Sequence, residues 1–165
     1  MEYLWSPWRM RYLEDIGRLR REGGCIFCEK PPRSRDQEDL ILERGSHCFS
    51  LLNLYPYNPG HAMVAPYRHV GELESLACEE WEEMHLLSAR LIRALKASIG
   101  PDGFNLGLNL GKAAGAGYDA HLHLHLVPRW VGDTNFMPVL GETKVLPESL
   151  EQTYAKLKKA LEELG

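Results

Sequence analysis

The amino-acid sequence predicts an α+β protein: a mostly antiparallel sheet with one long crossing helix and a C-terminal helix. Three observations carry this. Short apolar runs are separated by clusters of Gly, Pro, Asn and Ser, the pattern of strands joined by tight turns. Leu76–Ile99 has apolar residues at helical spacing, and so does the end of the chain. No internal repeat and no linker-like stretch interrupts this order, which suits one domain at 165 residues.

The elements follow in chain order. Met1–Leu13 sets Trp5, Trp8, Met10 and Tyr12 among arginines, an aromatic arm expected to pack. Asp39–Glu43 and Cys48–Leu54 are strand-like runs about Arg44-Gly45-Ser46, a predicted hairpin. Two prolines and a glycine make Tyr55–Gly60 a turn, after which His61–Pro66 resumes as a strand. The long helix carries Trp81, Met84, Leu87, Leu91 and Leu95 on one face, and Gly100-Pro101 ends it. Phe104–Leu110 alternates as a strand, Gly111–Ala120 is a glycine loop, and His121–Val127 is a strand halted by Pro128. The last helix is predicted to start near Pro147, a favourable first-turn residue, with Leu150, Tyr154, Leu157, Leu161 and Leu164 on one face.

Composition excludes several classes. Hydrophobic residues at 44% and charged residues at 25% are ordinary for a globular domain and rule against disorder. A net charge of −4 argues against a nucleic-acid binder, which carries a basic excess. No apolar run reaches the roughly 20 residues of a membrane span. Met1–Arg21 lacks the apolar core of a signal peptide, so the cytoplasm is the expected compartment.

Four cysteines stand at 25, 28, 48 and 78. Cys25-Ile26-Phe27-Cys28 is a C-x-x-C after a polar, glycine-containing turn, which suits half of a zinc site better than a redox pair. With no second C-x-x-C, the remaining ligands must be histidines. Cys48 and Cys78 read as ordinary apolar-phase residues.

The most informative segment is His121-Leu122-His123-Leu124-His125-Leu126-Val127. Alternate residues of a strand share a face, so the imidazoles line one side and the leucines enter the core. The first and third histidines lie about 13 Å apart along a strand, too far to bind one ion, although a neighbouring pair could. This segment resembles the His-φ-His-φ-His-φ-φ motif of the histidine triad (HIT) superfamily of nucleotide hydrolases and transferases. Asn53, Pro59-Gly60-His61-Ala62-Met63-Val64-Ala65-Pro66-Tyr67-Arg68-His69 and Asn109 also match the family's pattern, so the resemblance runs from about Cys25 to Trp130. Trp5-x-x-Trp8-Arg9-Met10 and Pro128–Phe136 look closest to the diadenosine-tetraphosphate phosphorylase/hydrolase-like branch.

The resemblance implies a HIT-like fold in one domain: an arm over 1–24, a core over 25–130 and an extension with a helix over 131–165. It makes His123 the nucleophile on the α-phosphorus of a dinucleoside polyphosphate or related adenylyl compound. His125 is then the hydrogen-bond donor and acid partner, and His61 faces the phosphate from the adjacent strand. The nucleotide-binding set is Asn53 on the ribose, Leu54 beside it, Asn109 on a phosphate oxygen, and the backbone N–H groups of Gly115–Tyr118, with Gly115 and Gly117 permitting the irregular turn. Zinc is implied as a structural ion on Cys25, Cys28, His69 and His121, with His47 the alternative third ligand and His85 an ordinary helix residue. The loop 111–120 has no Ser or Thr where relatives often place a hydroxyl, so hydrolysis is expected at least as much as phosphorolysis. The implied partners are an adenine nucleotide or dinucleoside polyphosphate and a second copy of the chain, with sheets joined and the helix near Trp81–Leu95 at the interface; neither nucleic acid nor a membrane is expected. The alternative is an adenine-nucleotide sensor with incidental turnover. A uridylyl transferase is weaker, because its catalytic strand usually reads His-Pro-His.

Overall fold

A computed structural model describes residues 24–115, 118–133 and 148–165. The aromatic arm, Gly117 and Pro147 lie outside the described residues. The described elements are α1 (Ile26–Glu29), α2 (Asp36–Asp39), β1 (Ile41–Arg44), β2 (Cys48–Leu52), β3 (Ala62–Pro66), α3 (Cys78–Ile99), β4 (Gly103–Leu108), β5 (Leu124–Arg129) and α4 (Leu150–Glu163). The strands form one five-stranded sheet in the order β1-β2-β3-β5-β4, every neighbouring pair antiparallel.

β2 and β3 are buried along their whole length, because each sheet face is covered. Period-2 alternation sorts their side chains. Cys48, Leu52, Ala62, Val64 and Leu126 join Met84, Leu91 and Leu95 of α3 and Leu157 and Leu161 of α4 in one core. Phe49, Leu51, Met63 and Ala65 face the other way, into a smaller core closed by Cys25, Phe27 and Tyr118. The first core is a helix–sheet interface; the second is the floor beneath the histidines.

Polar groups fix the relative placement of these layers. The Glu83 carboxylate on α3 accepts the backbone N–H groups of Ser46, His47 and Cys48 at 2.8, 2.5 and 2.6 Å. A Cβ at Gly45 would stand 2.5 Å from that carboxyl carbon, so this turn tolerates only glycine while the clamp is made. Gly60, at φ +74, brings the start of β3 so close to α3 that a Cβ would meet Leu95 Cδ2 at 2.7 Å. His61 follows it directly. Gly100 caps α3 at φ +57, its N–H donating to Leu95 O.

Several boundaries differ from expectation. Asp36–Asp39 forms a helical turn, and the first strand begins at Ile41. Trp81 is 49% exposed; the buried face of α3 holds Glu80 instead, whose carboxylate pairs with Arg68 at 2.6 Å. Cys48 is buried as expected, but Cys78, the first residue of α3, is exposed. The last helix starts at Leu150 because Ser149 caps it, its hydroxyl accepting Gln152 N–H while the Gln152 side chain accepts Ser149 N–H. Tyr154, Leu157 and Leu161 are buried there and Leu164 is exposed. Among the described residues no helix is long and apolar enough to cross a membrane.

Candidate active site

The histidine segment joins the sheet later than its alternation predicts. β5 begins at Leu124, and His121–His123 lie outside its ladder. The cause is local: Leu122 N–H donates to Val70 O, and the His121 ring hydrogen-bonds Pro66 O at 2.9 Å, so this stretch hangs from the end of β3 and its following turn. From Leu124 on the expected parity holds, with Leu124 and Leu126 against the helices. His125 pairs with Met63, which belongs to the opposite core, so the two share that face.

His123, His125 and His61 come together. The rings of His123 and His125 are 4.8 Å apart between centroids, and those of His125 and His61 5.2 Å. Their hydrogen bonds determine which nitrogens carry protons. Tyr57 N–H donates to His61 Nδ1 at 3.1 Å, so in the neutral ring the proton sits on Nε2. That Nε2 lies 3.0 Å from His125 Nδ1 and donates to it, which leaves the His125 proton on its own Nε2. His123 Nδ1 lies 2.8 Å from the His121 carbonyl and must donate, so His123 Nε2 presents a lone pair. One ring therefore offers a nucleophilic nitrogen and its neighbour an N–H donor, both uncharged.

Burial keeps them uncharged. Desolvation, reinforced by His125 and His123, pushes His61 down to about 3. Desolvation and the neighbouring His123 push His125 down to about 4. Burial also holds His123 below the ordinary imidazole value, against a backbone hydrogen bond that favours its charged form. Phe27, 1% exposed, stacks on His123 at 4.7 Å and 27° and seals its inner face.

A second cluster stands beside the first. Cys25, Cys28, His69 and His121 bring four ligand atoms within 4.8 Å of one another. Cys25 Sγ is 3.3 Å and Cys28 Sγ 3.5 Å from His121 Nδ1, and Cys28 Sγ is 3.3 Å from His69 Nδ1. Tetrahedral zinc, with its usual bond lengths, places sulfur and nitrogen about 3.5 Å apart, so the donor set fits that ion in type and spacing. His121 Nε2 donates to Pro66 O, which directs Nδ1 at the cysteines. Burial and Cys25 push the Cys28 thiol up to about 11, a penalty that a dication reverses. His47 is exposed just before β2, its N–H on the Glu83 carboxylate, and is not in this cluster; His85 is exposed on α3.

The remaining expected residues are distributed as follows. Asn53 is buried, its Oδ1 accepting Tyr55 N–H at 2.9 Å and its Nδ2 3.4 Å from His61 Nδ1. Leu54 is 55% exposed beside it. β4 and β5 pair through Leu108 and Leu124, so the next residues on the two chains are Asn109 and His123. Gly115 ends a short 3-10 turn at φ +84. Tyr118 directs its side chain away, into the smaller core, with its hydroxyl on the Gly24 carbonyl. Two contributors were not read from the sequence, Phe27 and Tyr57. Phe27 sits inside the C-x-x-C, where position alone gives no direction; Tyr57 lay in a segment read only as a turn.

An α+β fold that sets an imidazole lone pair beside an imidazole N–H, with a Cys2His2 cluster alongside, has the parts of a histidine-dependent group-transfer site. The comparisons agree. The HIT domain family matches residues 34–131, and the chain belongs to that family. A protein of Mycobacterium tuberculosis called AP-4-A phosphorylase is 44% identical over 93% of this chain and 80% of its own length. A bis(5'-adenosyl)-triphosphatase of Dictyostelium discoideum is 35% identical over 49% of this chain and 54% of its own. A crystal structure of a Zn-bound histidine triad family protein from Mycobacterium smegmatis superposes with a TM-score of 0.67 at 28% identity, covering 85% of this chain and 94% of that one.

Proposed function

We propose that this protein cleaves dinucleoside polyphosphates, such as diadenosine tetraphosphate, or related adenylyl compounds, at an α-phosphorus through a nucleotidyl group carried on His123. The observation that carries this reading is the tautomer pattern: a lone pair on His123 Nε2 beside a proton on His125 Nε2. In the first step His123 Nε2 attacks phosphorus and an N–P bond forms. The P–O bond to the leaving phosphate breaks with its electron pair staying on the departing oxygen, which leaves as a phosphate anion held by a hydrogen bond from His125 Nε2–H. His61 Nε2–H, donating to His125 Nδ1, fixes the tautomer and orientation of that donor. Asn109 is assigned to a phosphate oxygen, Asn53 and Leu54 to the nucleoside, and the backbone of Gly115–Tyr118 to the α-phosphate. Asn53 reaches a ribose by exchanging its Tyr55 bond, since its oxygen is already engaged.

Cys25, Cys28, His69 and His121 would hold zinc as a structural ion, all four positions being taken. The same His121 whose ring would bind it offers its carbonyl to His123 Nδ1, so the ion's role is to hold the nucleophile's orientation. We also place the protein in the cytoplasm, where these thiols stay reduced, and assign it a homodimer. β4 is an edge strand carrying exposed Leu106, and α3 exposes Trp81 and Leu86, faces suited to a second copy.

Two acceptors can complete the cycle. Water would release a nucleoside monophosphate, the reading favoured by a loop without a hydroxyl side chain. Inorganic phosphate would release a nucleoside diphosphate, the reading favoured by the name of the 44%-identical relative. Labelled phosphate distinguishes them by whether label enters the diphosphate. The first step itself is tested by His123→Ala, expected to reduce turnover about a thousandfold or more while nucleotide binding survives. Turnover near the parent level in that variant sinks the proposal.

A further inference from the structure

Resting on the reading above, we infer that Tyr57 is a specificity-determining residue that stacks on the base of the leaving nucleoside. The rings of the site form a row. Phe27 lies on His123 at 4.7 Å, His123 against His125 at 4.8 Å, His125 against His61 at 5.2 Å, and Tyr57 on His61 at 4.7 Å and His125 at 6.3 Å. One end is closed, with Phe27 1% exposed; the other is open, with Tyr57 52% exposed. The Tyr57 ring packs on imidazole and still keeps about half of its surface exposed.

Tyr57 is held firmly for so exposed an aromatic side chain. Its backbone N–H donates to His61 Nδ1, Tyr55 N–H donates to Asn53 Oδ1, and His61 N–H donates to Asn58 O. Asn58 is buried and donates to Pro128 O at 2.8 Å. Pro56 and Pro59 stiffen the segment further. A preordered aromatic face loses little entropy when a flat ring settles on it.

The chemistry gives the face its direction. In-line displacement puts nucleophile and leaving group on opposite sides of the phosphorus, and the leaving oxygen must reach the His125 proton. Tyr57 packs against the donor end of the row, whereas Phe27 packs against the nucleophile end. The second nucleoside of a dinucleotide therefore departs on the His125 side, where Tyr57 lies beyond His61. Stacking accepts any base, so Tyr57 selects for the presence of a second nucleoside and not for its identity.

The test compares diadenosine tetraphosphate with adenosine 5'-tetraphosphate, which has the same phosphate chain and no second base. The parent protein is expected to favour the dinucleotide in kcat/KM. Tyr57→Leu and Tyr57→Ala are expected to lower that preference about tenfold, chiefly through KM, and Tyr57→Phe to retain it. An unchanged ratio in a folded Leu or Ala variant, including an equal loss on both substrates, overturns the inference and makes Tyr57 only a support for His61. A parent protein without preference overturns it as well. Failure of the underlying reading is separately visible, because labelled substrate would then leave no nucleotide on His123 of the parent.

Discussion

His61 and His125 spend the neutral pH range without charge, and this has opposite consequences for stability and for activity. An imidazole titrates near 6.5 in an unfolded chain, whereas burial pushes His125 to about 4 and His61 to about 3 in the fold. Between those values the unfolded chain binds more protons than the folded one, so stability is full above about pH 6.5 and falls as pH drops toward 4. Unfolding midpoints in urea at pH 7.5, 6.5 and 5.5 should show this decline beginning well above the carboxylate range. The first step as proposed uses neutral rings, all held below the ordinary imidazole value, so single-turnover rates on folded protein should not begin to fall near pH 6.5. A rate that halves near pH 6.5 would show that these rings titrate as exposed imidazoles do.

At the scale of elements, the turn α1 contributes more than its four residues suggest. With Cys25 capping it, it brings two thiols to the Cys2His2 cluster and, between them, the Phe27 ring that covers His123. Purified protein should carry about one zinc per chain, as one four-ligand site requires. Thiol titration then reads the element directly: Cys78 is exposed and reacts at once, Cys48 is buried, and Cys25 and Cys28 should react only after chelation. Chelation should also lower the melting temperature by several degrees, since the ion binds the folded form. Metal-free protein whose Cys25 and Cys28 resist the reagent as well as in untreated protein would refute the site. The segment before β5 teaches the converse lesson. Alternation correctly gave the leucines to the helix-side core from Leu124 onward, but it could not show that His121 leaves the ladder. That departure is caused by Pro66 O, Val70 O and the two cysteines, all distant in sequence.

For the molecule as a whole, what was legible follows the range of the interaction. Strands and the long helix announce themselves through local periodicity, and the resemblance of the histidine segment placed the catalytic candidates. Trp81 was misassigned because helical spacing cannot distinguish a buried stripe from its shoulder, and the Glu80–Arg68 pair takes the inner position. Tyr57 and Phe27 stayed hidden because ring stacking across the fold leaves no signature in spacing. The sheet brings these to one face: His61 stands immediately before β3, β5 supplies His125, and the Cys25–Cys28 turn closes the far side. On the proposed mechanism, this face accepts a nucleotidyl group. Rapid acid-free quenching with labelled diadenosine tetraphosphate, followed by peptide mapping, should find a base-stable, acid-labile nucleotidyl group on His123. A protein that turns over substrate while every quenched sample leaves position 123 unmodified would contradict it.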